Sequence, residues 1–281
     1  MGRVDRGPAI EGLHKPNSAE AILKTVLKET GWTRRFLDNK LTPDEHLEIV
    51  ELVRDLSKAW LRHEAQEFAK EFLDWHGRSF GLHERADAFQ AWQAFSRNVN
   101  RFASRVKSFI RESIIAGVLG LLGPKPLTGE ELDHAERLAS LQAQYFDRFR
   151  DEVIQLPPAL RPEKTTEIIA ISPPMTINQF IARAESYGTS VWPSAQEVAR
   201  ASYLRDDVFD QEHRVLGIAE HCEDCETYSA MGWVPIGSLP AIGQSVCRQN
   251  CACHFEYRSG DDGVPHTAGR GPLYDQVFGQ T

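Results

Sequence analysis

The chain has 281 residues and a mass of 31.7 kDa, enough for one large domain or two ordinary ones. Hydrophobic residues make up 41% and charged residues 26%, which excludes a wholly disordered chain, a collagen-like repeat and a disulfide-dense miniprotein. Lys and Arg number 32 against 40 Asp and Glu, a net charge of −8. Residues 204–281 hold 5 basic and 12 acidic side chains, so neither part of the chain has the basic excess that duplex binding through phosphates needs.

The first residues lack the apolar run of a targeting segment, and residues 1–17, rich in Gly, Pro and charge, are expected to form a flexible tail. Residues 18–156 read as a helical bundle. Thr42, Pro43 and Glu45 make a helix start, with an N-cap Thr, Pro at the first helical position and a Glu to close a capping box. Leu47, Val50, Val53, Leu56 and Trp60 follow at helical spacing, and this helix is expected to reach Trp75. Gly77 and Gly81 should bracket a turn. A second long helix is expected from Leu82 to about Leu119, with Phe89, Trp92, Phe95, Val99, Phe102, Val106, Phe109 and Ile110 on one side.

The longest apolar run, Ile114–Leu122, has nine residues, against about 20 for a membrane span. Gly117, Gly120 and Gly123 recur three apart along it, a spacing that permits close helix approach. The run and the aromatic stripes exceed what one small bundle must bury, so an apolar helix face docked on another subunit is expected. Thr128 and Glu131 open a third helix with a second capping box, followed by Leu132, Ala135, Leu138, Tyr145, Phe149 and Val153.

Residues 157–203 read as a Pro-punctuated linker and further helices. A short strand or helical turn falls near Ile168–Ile171, a helix opens at Thr176 and Gln179, and Pro193 either kinks it or begins the next. Residues 204–258 form a Cys-rich module in which strands should be confined to about 212–258, the first being Arg214–Ala219. Residues 259–281 return to Gly, Asp and Pro and read as a second tail. The fold class is therefore mainly α: a long-helix bundle followed by a small α+β module stapled by a Cys-cluster metal site.

All five cysteines fall between Cys222 and Cys253, after a long cysteine-free region. With no signal peptide, that pattern favours a reduced compartment and a metal over a disulfide framework. Cys222 and Cys225 form a C-x2-C knuckle whose sulfurs converge on one ion, and Cys247 with Cys251 can close the tetrahedron that a structural zinc prefers. Cys253 and His254 are alternates, on the expectation that Cys251 and Cys253 face opposite sides of a terminal strand. Glu223, Asp224 and Glu226 lie close by and read as solvated loop charges. The sequence has no phosphate loop, dinucleotide fingerprint, nucleophile elbow or H-E-x-x-H helix, so a non-enzymatic protein is expected.

The segments Arg183–Gly188, His221–Cys225 (H-C-E-D-C), Leu239–Gly243 (L-P-A-I-G) and Cys247–Tyr257 (C-R-Q-N-C-A-C-H-F-E-Y) together resemble tailed-phage minor head proteins, the head-morphogenesis group that includes the Mu protein F-like proteins. The helix segment Leu141–Val153 is similar to one that precedes these elements in the group. The resemblance covers residues 128–258, and it departs at Ala252, where a basic residue is usual. It implies a virion component, made in the host cytoplasm and held in the phage head near the portal, that assists assembly, DNA packaging or ejection. Its partners would be portal or capsid proteins, with homo-oligomers a further expectation and neither a strong nucleic-acid signal nor a transmembrane segment. Two alternatives remain open: a zinc-ribbon nucleic-acid-binding accessory protein and a metal-dependent hydrolase.

Overall fold

The computed structural model describes residues 18–79, 81–155, 168–171, 175–207, 209–217, 221–246 and 251–259. Both tails expected from the sequence, residues 1–17 and nearly all of 259–281, lie outside them.

Eight helices and five short strands follow in chain order among the described residues. Helix α1 (Ala19–Thr30) starts at Ser18, whose hydroxyl accepts from the Ala21 amide, and ends at Gly31 with φ 75°. That left-handed residue lets its own amide and that of Trp32 reach back to the last carbonyls. A short helix α2 (Thr33–Leu37) leads into α3 (Pro43–Ser79). The Thr42 capping box forms: the Glu45 carboxylate accepts from the Thr42 amide at 2.7 Å and the Thr42 hydroxyl accepts from the Glu45 amide at 3.3 Å. The helix does not stop before Gly77. It runs to Ser79, because one glycine costs only about 1 kcal/mol inside a long, well-packed helix.

Strand β1 (Gly81–Glu84) follows, so helix α4 (Arg85–Leu122) begins three residues later than its apolar stripe suggests. Strand β1 pairs antiparallel with β2 (Ile168–Ile171), Gly81 opposite Ile171 and Glu84 opposite Ile168. Strands are therefore not confined to the C-terminal module. A four-residue strand gives no periodicity to read, and its pairing partner lies far along the chain. Helix α5 (Gly129–Val153) opens with the expected Thr128–Glu131 capping box, and α6 (Ile177–Ser186) with an equivalent box from Thr176 and Gln179. A 3₁₀ turn, Tyr187–Ser190, separates α6 from α7 (Val191–Arg205). Pro193 sits in the first turn of α7, where its missing amide would have had no intrahelical partner.

The bundle core is an aromatic seam across α3, α4, α5 and α6. Trp60 stacks on Phe109 at 3.8 Å between centroids, Phe68 on Phe102 at 5.0 Å, and Phe180 lies within 5.5 Å of both Phe102 and Phe149. Burying each such ring is worth about 1.5–3 kcal/mol. The run Ile114–Leu122 closes this core rather than facing outward: all but Gly117, Leu119 and Gly120 are buried hydrophobics, and Leu119 packs against them. Helices α1, α3 and α7 of the same chain cover it, so the run itself is a buried helix end and not a face for another subunit. A Cβ at Gly117 would meet Val191 at 2.9 Å, and one at Gly120 would meet Ile49 at 2.5 Å. The glycines let three helices close on α4. No helix among the described residues is long and apolar enough to cross a membrane.

The C-terminal module adds a three-stranded antiparallel sheet in the order β4 (Val234–Pro235), β3 (Gln211–Val215), β5 (His254–Arg258), with α8 (Glu223–Ala230) beside it. Strand β3 begins three residues before the expected Arg214 and ends at Val215. Its buried positions are Glu212 and Arg214, charged residues that a search for alternating apolar side chains passes over. The module rests on α7, which is buried nearly all round. Trp192 Nε1 donates to the Cys253 carbonyl at 2.8 Å, Arg200 forks onto Glu212 with two bonds of 2.7 Å, and Gln196 accepts from the Phe255 amide at 3.4 Å.

Candidate metal centre

The thiols of Cys225, Cys251 and Cys253 meet, each at most 4% exposed, with all three sulfurs within 4.8 Å of one another. They arrive from two directions. Cys225 lies in the first turn of α8, where unsatisfied amides and the helix dipole favour a thiolate. Cys251 and Cys253 lie in the extended stretch that runs into β5. The expectation that these two face opposite sides inverted the pleat: residues two apart in extended chain share a face, and both turn inward. His254, one residue further, turns away. Burial pulls its pKa below the usual range, with Asp44 at the start of α3 acting against that and His213 of β3 adding to it.

Of the expected ligands, Cys225 and Cys251 are in the cluster and Cys253 is promoted from alternate to member. Cys222, the N-cap of α8, is half-buried and stands outside the three-sulfur group. Cys247 lies outside the described residues. Cys222, Cys225, Cys251 and Cys253 carry thiols rather than disulfides.

The spacing suits a tetrahedral ion. Bonds of about 2.3 Å to sulfur, opening at the tetrahedral angle, put two sulfurs about 3.8 Å apart and a sulfur and an imidazole nitrogen about 3.6 Å apart. Cys225 and Cys251 are 3.7 Å apart; His221 Nδ1 stands 3.6 Å from the Cys253 sulfur but, like Cys222, outside the three-sulfur group. Three buried thiols on a shared centre can hold a metal ion.

Two features around the cluster carry no signal in a cysteine count. Gly217 accepts from His221 Nε2 at 2.7 Å, and a Cβ on it would sit 2.2 Å from the Ala252 carbonyl oxygen. The strand exit and the Cys251–Cys253 stretch therefore run in backbone contact. Arg214, fully buried, reaches the Cys225 sulfur at 3.8 Å and Ser245 Oγ at 3.2 Å, donates to the Pro240 carbonyl, and lies over the rings of Tyr228 and Phe255. The acids next to the first knuckle point elsewhere. Glu223 and Glu226 are exposed, and Asp224 accepts from the Val246 amide at 3.1 Å, holding the loop that leads to the second knuckle.

No family model, curated protein or solved structure matches this chain.

A separate pocket of about 310 Å³ lies between α5 and α7, lined by Glu130, Glu131, His134, Arg137 and Arg205 among others. Its innermost acid is engaged: Glu131 closes the α5 capping box and accepts from Ser202 Oγ at 2.6 Å.

Proposed function

We propose that this chain is a minor head protein of a tailed phage, acting non-enzymatically in head morphogenesis near the portal, and that its cysteine centre is a structural zinc site. The observation that supports this reading best is convergence. Three of the short elements that carry the resemblance, all within residues 221–257, close on one buried region. The H-C-E-D-C element supplies Cys225. The L-P-A-I-G loop supplies the Leu239 carbonyl to Arg200, the Leu239 amide to Glu212 and the Pro240 carbonyl to Arg214. The C-R-Q-N-C-A-C-H-F-E-Y element supplies Cys251 and Cys253.

A structural role fits the donor set better than a catalytic one. Thiolate-rich centres hold zinc closed, whereas a hydrolase needs an open position facing a base, and the nearby acids are exposed or hold the loop. A role in the virion also fits a helical body with no nucleophile elbow, phosphate loop or dinucleotide fingerprint in its sequence. Two measurements test the two halves. Mass spectrometry of purified heads should find the chain in intact particles, alongside portal and capsid proteins, and its absence from them rejects the head assignment. Elemental analysis of the purified full chain should give close to one zinc per chain, retained through dialysis. Metal-free protein with the same fold rejects the zinc assignment.

A further inference from the structure

We infer that the solvent face of α4 is a docking surface for the phosphate backbone of duplex DNA, with Arg97 and Arg101 as its two main contacts. The inference is independent of the metal centre. It gives the helical body a ligand, which the function proposed above leaves open.

The stretch from Ala88 to Arg111 holds five basic residues and no acid, between Asp87 and Glu112. The net charge of −8 over the whole chain hides this. Folding sorts the stretch into two sides. Phe95, Val99, Phe102, Val106 and Phe109 turn into the core. Gln93, Arg97, Asn100, Arg101, Ser104 and Ser108 stay exposed at helical spacings of three and four, one row along about 22 Å of helix. The flanking helices differ: α3 exposes Glu48, Glu67 and Glu71, and α5 exposes Glu130, Asp133 and Glu152.

The guanidiniums at the centre of the row are uncommitted. Lys107 is held by Asp147 at 2.8 Å, and Arg111 by Glu112 and Glu136. Arg105 pairs with Glu64 at 3.2 Å, an exposed contact of the weak kind that a phosphate can replace. The side chains of Arg97 and Arg101 form no ion pair or hydrogen bond with any described residue.

The same row selects its partner. Arginine with Asn, Gln and Ser is the set that meets phosphate oxygens in protein–DNA contacts. A protein partner needs an apolar or aromatic centre to desolvate, and between Gln93 and Ser108 the only exposed apolar side chain is Ala94. A surface offering charge and hydrogen bonds alone suits a polyanion that repeats one charge along its length. Two or three phosphate contacts make such binding weak and independent of base sequence, in the non-specific range of about 10⁻⁴–10⁻⁶ M.

The test is fluorescence anisotropy of a labelled DNA duplex titrated with the purified full chain at rising salt. Two or three contacts predict a slope of log K against log salt of about −2 to −3, a loss of about 15–60-fold between about 50 and 200 mM. The double change Arg97→Gln with Arg101→Gln should flatten the slope to about −1 or less and weaken low-salt binding by about 10-fold or more. Arg97→Lys with Arg101→Lys keeps both charges and should keep most of the binding. Arg34→Gln with Arg137→Gln removes the same charge from exposed positions on α2 and α5 and should bind as the wild type does. All six positions substituted in these pairs are surface ones, where such changes leave the fold intact, and circular dichroism verifies it. Absence of wild-type binding at low salt overturns the surface. Equal losses in the two glutamine pairs also overturn it, because binding would then follow overall charge. Poly-glutamate at equal charge concentration should not displace the duplex; if it does, the partner is an acidic protein segment and the assignment to DNA falls.

Discussion

Gly217 is where the smallest change should have the largest local effect. A methyl group there would occupy the space of the Ala252 carbonyl oxygen, and neither backbone can yield without moving Cys251 and Cys253. Gly217→Ala is expected to cost about 1–3 kcal/mol through overpacking and to weaken zinc binding, read by urea unfolding and chelator competition on the same sample. Glu212 offers a second test. Removing its carboxylate by Glu212→Ala leaves Arg200, which is 7% exposed, with Glu197 at 3.6 Å as its remaining carboxylate, and breaking one side of a buried pair costs about 3–5 kcal/mol. The double change Arg200→Met with Glu212→Leu should recover much of that loss in the same unfolding measurement. At this scale the sequence is half legible. Cys225 and Cys251 announce themselves by spacing, and Cys253 was in view as an alternate. Arg214 and Glu212 were hidden, because a charged residue carries no mark that it will be buried until its partners from other elements are known.

Helix starts were the most legible feature of the chain. The boxes at Thr42 and Thr128 are local chemistry between residues three apart, and the starting box at Thr176 forms in the same way. Strands β1 and β2 were not, since each is four residues long and neither has reason to be extended except the other. Helix interruptions fall between these extremes. The break after α6 depends on Gly188, where a Cβ would lie 2.7 Å from the Lys58 amide nitrogen, a contact with a helix 130 residues away in sequence. Gly120→Ala and Gly188→Ala should each destabilise by about 1–3 kcal/mol in urea titrations. Gly129→Ala, where nothing lies within 4 Å, should be neutral or stabilise by a few tenths of a kcal/mol. A destabilised Gly129→Ala would show that the glycine effects come from the backbone rather than from close approach.

For the whole molecule, acid should loosen the joint between α3 and α4. His46, 3% exposed, lies 2.7 Å from the Gly120 carbonyl through Nδ1, which therefore carries a proton. Burial lowers its pKa from the usual 6.5. The unfolded chain therefore takes up a proton first as the pH drops. The stability tied to the neutral ring is full above about pH 6.5 and is lost as the pH falls below it, until the folded ring also protonates. The gap in melting temperature between wild type and His46→Gln should narrow from about pH 7.5 to 5.5; a constant gap would exclude His46 as its source. The fold class was legible at this scale, because long helical stripes followed by a cysteine-rich tail dictate a bundle and a module. The way the two are joined was not. Helix α7 gives Ala195 to the glycine notch of α4, Ser202 to α5 and Trp192, Gln196 and Arg200 to the cysteine module. Its amides can meet deuterium only when both neighbours come away, so they should exchange at the rate of complete unfolding, slower than those of α1 or α8, and that rate should rise along the whole of α7 when zinc is withdrawn.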